Sequence, residues 1–276
     1  MYTFLVIISK IISLFPNKTM DYLARLLSIV CFDLVRIRRS LILKNIRTAF
    51  GSTLTNEQIH VVARKSVYHS ICTLLEFIRS HTTKDLVNNI QLSDHFSTQA
   101  NALSGFIYGL HMGNWEALGA FLSSQHFVTP VVIKPIKNKG VDAFVSSTRK
   151  RNGFVEIRRK KRGDGARKIL QTIKNKQRVA FVMDQVRPNS PRIKLFNKPA
   201  KTNTTLAALW LKTKVPVVPT FISRISFGNH FLHMLEPMSL KSTGDRDQDI
   251  IAVSKVFNEY AEKIISFQPE QYFWFH

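Results

Sequence analysis

The feature that most constrains the fold is a regular alternation that begins near residue 104. From there on, short runs rich in β-branched and aromatic residues alternate with stretches of helical periodicity. The predicted strands are 105–110, 128–134, 153–157, 178–183 and 215–222, and the predicted helices are 117–123, 139–151, 164–175, 204–212 and 248–267. This rhythm predicts an α/β fold, with a mostly parallel central sheet flanked by helices. In such sheets, functional side chains gather at the carboxyl ends of the strands.

The first 90 residues read as helical, and they begin with two apolar segments. Thr3–Phe15 carries one charge, and Met20–Val35 is interrupted by only a few polar residues. Neither segment reaches the roughly 20 apolar residues of a spanning helix. Several basic residues follow: Arg36, Arg38, Arg39, Lys44 and Arg47. This order predicts membrane-associated helices over residues 1–50, lying on an anionic leaflet, ahead of a second domain over 51–276. The alternative is two core helices of a soluble domain.

Charge is the outlier of the composition. The 276 residues include 40 Lys plus Arg and 18 Asp plus Glu, for a formal net charge of +22. Such an excess attracts nucleic acid, an anionic membrane surface or an acidic carrier. The sequence has no recognisable RNA- or DNA-binding module, and its aromatic residues lie in apolar runs, so a basic nucleic-acid-binding protein is kept only as the alternative of another class. The two cysteines and nine histidines show no zinc-ligand spacing, so no metal is predicted.

One junction carries residues suited to catalysis. The apolar run Gly105–Leu110 leads directly into the hexapeptide HMGNWE, so His111 lies just past the carboxyl end of a buried strand. The glycine allows a tight turn, Asn114 is a good helix N-cap, and Glu116 falls in the first turn of the next helix. We expect the Glu116 carboxylate to turn back toward the imidazole and support it as a general base. A purely structural histidine bonded to a nearby carboxylate is the alternative.

Other transfer chemistries find less support in the sequence. It has no G-x-S-x-G elbow, no phosphate-binding P-loop and no H-E-x-x-H zinc motif. No Ser or Cys stands beside the His/Glu pair to act as a nucleophile, which disfavours a covalent enzyme intermediate.

The octapeptide GLHMGNWE resembles the His-X4-Asp/Glu block of the lysophospholipid acyltransferase-like superfamily, and it is most similar to the bacterial lipid A late acyltransferases. Five further blocks resemble this branch in the right order. They are RRSLILKNIRTAF, VVIKPIKNKGVDAFVSSTRKRNG, VAFVMDQ, LFNKPAKTNTTLAALWLKTKVPVVPTFISR and PEQYFWFH.

The resemblance implies His111 as general base with Glu116 as its charge partner, and a substrate-binding set made of Asn114, Trp115, Arg149 and Asp184. It implies fatty acyl transfer from a thioester to a hydroxyl of a lipid A precursor or related glycolipid, with another lysolipid or glycolipid acceptor as the alternative. The implied donor partner is acyl carrier protein, ahead of coenzyme A, with no other cofactor. The implied other partners are membrane lipids and the lipid acceptor, and the implied location is the cytoplasmic face of the inner membrane.

Overall fold

The computed structural model describes residues 1–93, 96, 104–124, 131–133, 135–158, 164–186 and 189–276. One predicted strand and one basic run of the sequence extend beyond these residues. The predicted strand 128–134 is described only over 131–133, and most of the run RRKKR at 158–162 is not described.

Four helices open the chain. They are α1 (Tyr2–Ser13), α2 (Asn17–Ile29, continued by a π-helical turn over Val30–Leu34), α3 (Arg39–Phe50) and α4 (Asn56–Thr83). Helix α4 begins with a capping box, in which the Thr55 hydroxyl accepts from the Gln58 backbone and the Gln58 side chain accepts from the Thr55 N–H. In the described part of the chain, no helix is both long and apolar enough to cross a bilayer.

A seven-stranded sheet forms the centre of the molecule. Its strands are β1 (Ile90–Leu92), β2 (Gly105–Gly109), β3 (Val131–Ile133), β4 (Glu156–Arg158), β5 (Arg178–Val182), β8 (Val217–Ser226) and β9 (Asn229–Met234). Their order across the sheet is β1-β9-β8-β2-β5-β3-β4. All neighbouring pairs are parallel except β8 and β9, which form an antiparallel hairpin. The predicted α/β fold with a mostly parallel sheet is therefore confirmed.

Helices cover the sheet, as parallel strands require. They are α5 (Trp115–Ser124), α6 (Lys139–Arg151), α7 (Asp164–Lys174), α8 (Thr205–Thr213) and α9 (Arg246–Phe267). A small antiparallel hairpin, β6 (Arg192–Leu195) with β7 (Lys198–Lys201), lies apart from the main sheet, and a 3-10 turn over Pro269–Gln271 precedes the closing segment. The sequence analysis missed β1, β6, β7 and β9.

The N-terminal helices share the principal core with the sheet. Phe32, Ile42 and Ile46 are buried in one cluster with Phe106 and Tyr108 of β2. Helix α4 lies between the two regions, because α1, α2 and α3 all pack on it. Residues 1–50 are thus joined to the rest of the molecule through its core, while their membrane association stays a prediction.

Candidate active site

The site is built where two neighbouring strands end. Strands β2 and β5 are parallel partners, and their register places Gly109 opposite Val182. The Met183 N–H still donates to the Gly109 carbonyl, at 2.9 Å. His111 and Asp184 each lie two residues beyond the last paired position. The sheet register therefore brings the two side chains together, although 73 positions separate them in sequence.

The Asp184 carboxylate holds His111 through two contacts. Its Oδ1 lies 2.7 Å from His111 Nδ1, and its Oδ2 accepts the His111 backbone N–H at 2.9 Å. Because Nδ1 faces a carboxylate, it carries the proton of the neutral ring, and Nε2 is the nitrogen that can accept one. This is the arrangement that a general base requires.

The electrostatic environment favours the ionised forms of both His111 and Asp184. Burial lowers the pKa of His111, but the charge and hydrogen bond of Asp184, with a smaller contribution from Glu116, outweigh it and raise the pKa above its ordinary value. Burial raises the pKa of Asp184, but the positive charge of His111 and its hydrogen bonds, with His276, hold that pKa below the ordinary value. An imidazolium formed during a reaction is stabilised here by a carboxylate that stays ionised.

Glu116 does not occupy the position predicted for it. Its carboxylate is bound by Arg149 of α6 in a bidentate pair, with Nη2 to Oε1 at 2.6 Å and Nε to Oε2 at 3.0 Å. The predicted contact of Glu116 with the imidazole is wrong, because Asp184 arrives at Nδ1 through the sheet register. Glu116 and Arg149 instead form one ion pair beside His111.

A cavity of about 230 Å³ adjoins these groups. His111, Trp115, Glu116, Arg149 and Gln185 contribute to its wall, and the Trp115 ring meets the His111 ring edge-on at 5.0 Å. The remaining lining residues are apolar or glycine: Ile107, Gly109, Leu118, Gly119, Leu122, Ile136, Phe154, Ala180, Phe181 and Val182. An imidazole and a guanidinium thus lie at the wall of a cavity that combines polar groups with apolar side chains, where a reactive carbonyl attached to a hydrocarbon would fit.

Two residues predicted to bind substrate, Asn114 and Asp184, have side chains that bind other groups of the protein. Asn114 is completely buried; its Oδ1 accepts the Ala117 N–H at 2.9 Å as an N-cap, and its Nδ2 donates to Glu76 at 2.6 Å. Both ends of the amide are therefore engaged within the protein. Asp184 holds His111 and lines another cavity, of about 60 Å³. Within the protein, both residues therefore position other groups of the site, and their contact with substrate stays a prediction.

A buried ion pair behind the turn was missed by the sequence analysis. Arg224 of β8 donates to both carboxylate oxygens of Glu76, at 2.7 and 3.2 Å, and the Gly228 N–H adds a third bond at 2.7 Å. Through Asn114, this pair is connected to the turn that follows His111. The available signal was Glu76 itself, an acidic residue between Leu75 and Phe77 on an otherwise apolar stretch of α4.

The last residues of the chain close the site from one side. The Phe273 N–H donates to the His111 carbonyl, and the Gly113 N–H donates to the Gln271 carbonyl, each at 3.0 Å. His276 lies with Nε2 3.7 Å from Asp184 Oδ2. Gly113 itself needs its positive φ of 57°, and a Cβ there would collide with the Ile222 carbonyl oxygen.

No group of three or more His, Cys, Asp or Glu side chains suited to a metal ion occurs among the described residues.

Two of three comparisons with known proteins gave a match. The family model described as bacterial lipid A biosynthesis acyltransferase matches residues 1–276, the whole chain. Among solved structures, the chain is similar to the 1-acyl-sn-glycerophosphate acyltransferase of Thermotoga maritima, with 14% identity, 87% of this chain and 96% of that chain covered, and a TM-score of 0.38. The comparison with curated proteins gave no match. Because the family model matches all 276 residues of the chain, the chain belongs to the bacterial lipid A biosynthesis acyltransferase family and is an acyltransferase.

Proposed function

We propose that this enzyme transfers a fatty acyl chain from an acyl thioester, with acyl carrier protein as the preferred donor, to a hydroxyl of a lipid A precursor. The observation that carries the proposal is the His111–Asp184 pair at the wall of a cavity that combines polar groups with apolar side chains. The family supports the lipid A type of acceptor. Another lysolipid or glycolipid acceptor is the second candidate, and the first experiment below separates the two.

In the proposed reaction, His111 Nε2 removes the proton of the acceptor hydroxyl as its oxygen attacks the thioester carbonyl carbon. The carbonyl π electrons move onto oxygen and give a tetrahedral oxyanion. When this intermediate collapses, the C–S bond breaks, the ester forms, and the imidazolium returns its proton to the departing thiolate. Asp184 stabilises the imidazolium through both steps. The transfer is direct, since no Ser or Cys is among the described residues that line the cavity.

Arg149 is the proposed stabiliser of the oxyanion. The bidentate pair with Glu116 fixes the plane of its guanidinium, so the positive charge is held at the cavity wall before the reaction begins. In this mechanism Glu116 has two effects. It holds the Arg149 guanidinium in place, and its negative charge helps to raise the pKa of His111, although its carboxylate does not bind the imidazole.

We assign the N-terminal helices to the cytoplasmic surface of the inner membrane. Three apolar side chains of α1 and that of Leu14, its C-cap, are exposed at helical spacing and form one stripe: Phe4, Ile7, Ile11 and Leu14. An apolar stripe without a partner, followed by a basic cluster, is typical of a helix that lies in the headgroup region of an anionic leaflet. The remaining positive charge suits an acidic carrier and a phosphorylated lipid acceptor.

The test is mass spectrometry of total membrane lipid from cells with the protein, without it, and with His111→Ala. We expect one lipid to gain the mass of a single fatty acyl chain only with the unsubstituted protein, and its identity distinguishes a lipid A precursor from another lysolipid or glycolipid. An acylated product formed equally with His111→Ala would overturn the role of His111. No acylated lipid under any condition would overturn the function itself.

A further inference from the structure

A second cavity, of about 440 Å³, lies along helix α4. One wall is a stripe of α4 at helical spacing, which comprises Val67, Ser70, Ile71, Leu74 and Phe77. The stripe extends over 10 residue steps, or about 15 Å at the helical rise. Trp115, Val145, Phe273 and Phe275 contribute to the facing side. The cavity is therefore an elongated groove between α4, α6 and the closing aromatic segment.

The lining of this groove selects for hydrocarbon. Its charged groups are Glu116 and Arg149, which are bound to each other, and its other polar side-chain groups are the hydroxyls of Ser70 and Thr73, the Cys31 thiol and the Trp115 indole N–H. Its volume falls within the roughly 300–1,000 Å³ of small-molecule pockets. A ligand with amide groups, such as the arm of a thioester carrier, would leave those groups unpaired along the groove, whereas an aliphatic chain has no such cost.

The groove adjoins the reaction cavity. Trp115, Glu116, Ile136 and Arg149 line both spaces. A chain held in the groove therefore places whatever is attached to its inner end beside the ion pair and His111. Two chains, one in each cavity, would meet at these four residues.

The outer part of the groove carries exposed apolar side chains. Leu74 and Ile37, which line it, are 56% and 46% exposed, and Leu34 and Val35 nearby in sequence are more exposed still. The basic residues Arg36, Arg38 and Arg39 interleave with and follow this apolar segment. Exposed apolar side chains beside positive charge suit an anionic lipid surface. A chain already in the membrane could enter here without crossing water.

We infer that this groove binds one hydrocarbon chain of the lipid acceptor and so delivers the acceptor hydroxyl to His111, while the donor chain occupies the reaction cavity. The inference rests on the proposed function and extends it to how the acceptor is held. The reaction cavity between β2, β5 and α5 is left for the donor, because its wall places His111 and Arg149 beside apolar side chains, as a thioester carbonyl on a hydrocarbon chain requires.

The test is steady-state kinetics of Leu74→Asp, with donor and acceptor varied separately. Val61→Asp is the matched control, because Val61 is an apolar residue of α4 that is 53% exposed and is not part of the groove. The carboxylate introduced by Leu74→Asp would lie at an exposed part of the apolar groove. It should raise KM for the lipid acceptor roughly tenfold or more, because the incoming hydrocarbon chain must displace the water that hydrates the carboxylate. KM for the acyl thioester should not change, and Val61→Asp should behave as wild type. Leu74→Trp, which fills the groove without adding charge, should give the same pattern and covers the case in which Leu74→Asp does not fold.

Two results would overturn the inference. One is a change in donor KM or donor chain-length preference with acceptor KM unaltered, because the groove would then belong to the donor. The other is unchanged kinetics in both Leu74 variants.

A binding measurement that needs no turnover distinguishes failure of this inference from failure of the proposed function. Tritiated dodecanol is titrated into the purified full chain carrying His111→Ala, and then into the same chain with Leu74→Trp added. We expect saturable binding that the added substitution weakens at least about tenfold. Binding that Leu74→Trp leaves unaltered contradicts the groove assignment. Binding of the expected kind, together with no acyl transfer by the protein with His111 intact, contradicts only the proposed function.

Discussion

At the scale of single residues, the chemistry of the site depends on which carboxylate holds the imidazole. Asp184 contacts Nδ1 of His111 at 2.7 Å, and Glu116 contacts Arg149 at 2.6 Å. Two acidic residues beside one histidine thus have separate tasks. In the proposed mechanism, Asp184 fixes the tautomer and balances the imidazolium, and Glu116 fixes a guanidinium where negative charge develops on the carbonyl oxygen.

Replacing Arg149 with Lys tests the second task. Lysine keeps the charge but lacks the planar fork that binds both Glu116 oxygens, so we expect kcat to fall roughly 10²–10³-fold. Arg151→Lys on the same helix is the control, because Arg151 Nε donates to the His81 carbonyl and not to the site. Single-turnover acyl transfer measures the chemical step directly. Equal rates for the two variants would show that Arg149 takes no part in that step.

The sequence predicted His111, Trp115, Glu116 and Arg149 around one site, and the structure brings them together. It did not predict that Asp184 binds His111. The strand before each residue is readable from its apolar run, but the order of strands in the sheet is not, and only that order makes β2 and β5 neighbours. The sequence instead favours Glu116 as the partner of His111, because closeness along the chain is visible in a sequence and closeness across a sheet is not.

At the scale of elements, the catalytic turn is held from behind by α4 and β8. Glu76, Arg224 and Asn114 form a buried chain of hydrogen bonds from these two elements to the N-terminus of α5. Burial raises the pKa of Glu76, but Arg224 and other partners outweigh it and hold the pKa below the ordinary value, so the carboxylate is charged. The turn is therefore positioned by groups that never touch substrate.

Glu76→Gln tests this support. Removing one charge leaves the buried Arg224 guanidinium without its partner, and breaking a buried ion pair in this way costs about 3–5 kcal/mol of the free energy of unfolding. Urea denaturation followed by circular dichroism measures the loss. The control is Arg246→Ala, which removes an exposed ion pair with Asp247 worth about 0–1 kcal/mol. Similar losses of stability in the two variants would contradict the role of the Glu76–Arg224 pair in stabilising the fold behind the turn.

The strands that the sequence analysis missed share a physical cause. β1 has only three residues, too few for a pattern of alternation, and it is a strand only because β9 lies beside it. β9 alternates buried and half-buried positions, but it is the short return of a hairpin with β8. β6 and β7 pair with each other outside the main sheet. Pairing defines all four strands, whereas the buried strand β2 is readable from its composition alone.

At the scale of the whole molecule, the exposed apolar stripe of α1 and the groove along α4 define the side that we propose faces the membrane. The sequence predicted apolar helices followed by a basic cluster, and the structure adds which side chains are exposed and which are core. Ile12, Met20 and Phe32 are buried, so deleting residues 1–35 would remove core as well as membrane contacts. Point substitutions on the stripe are the cleaner test.

Ile7→Asp and Ile11→Asp should each weaken binding to anionic vesicles roughly tenfold, because each removes a large apolar side chain from the interface and adds a repelled charge. Vesicle co-sedimentation measures the partition coefficient. Ile251→Asp, at an exposed position of α9, is the control and should bind as wild type. If the α1 variants and the control partition alike, the stripe is not the membrane contact.

The most direct test of the His111–Asp184 pair is the pH dependence of kcat/KM, which reports the free enzyme's titrating groups. A base works when deprotonated, and the pKa of His111 is raised, so wild-type kcat/KM should increase with pH through an inflection above histidine's ordinary value of about 6.5. Asp184→Asn removes the main raising charge. The inflection should therefore move to lower pH, while the high-pH plateau falls roughly 10²–10⁴-fold. Glu116→Gln should move the inflection less. An inflection that stays in place in Asp184→Asn and moves in Glu116→Gln would contradict Asp184 as the partner of the base.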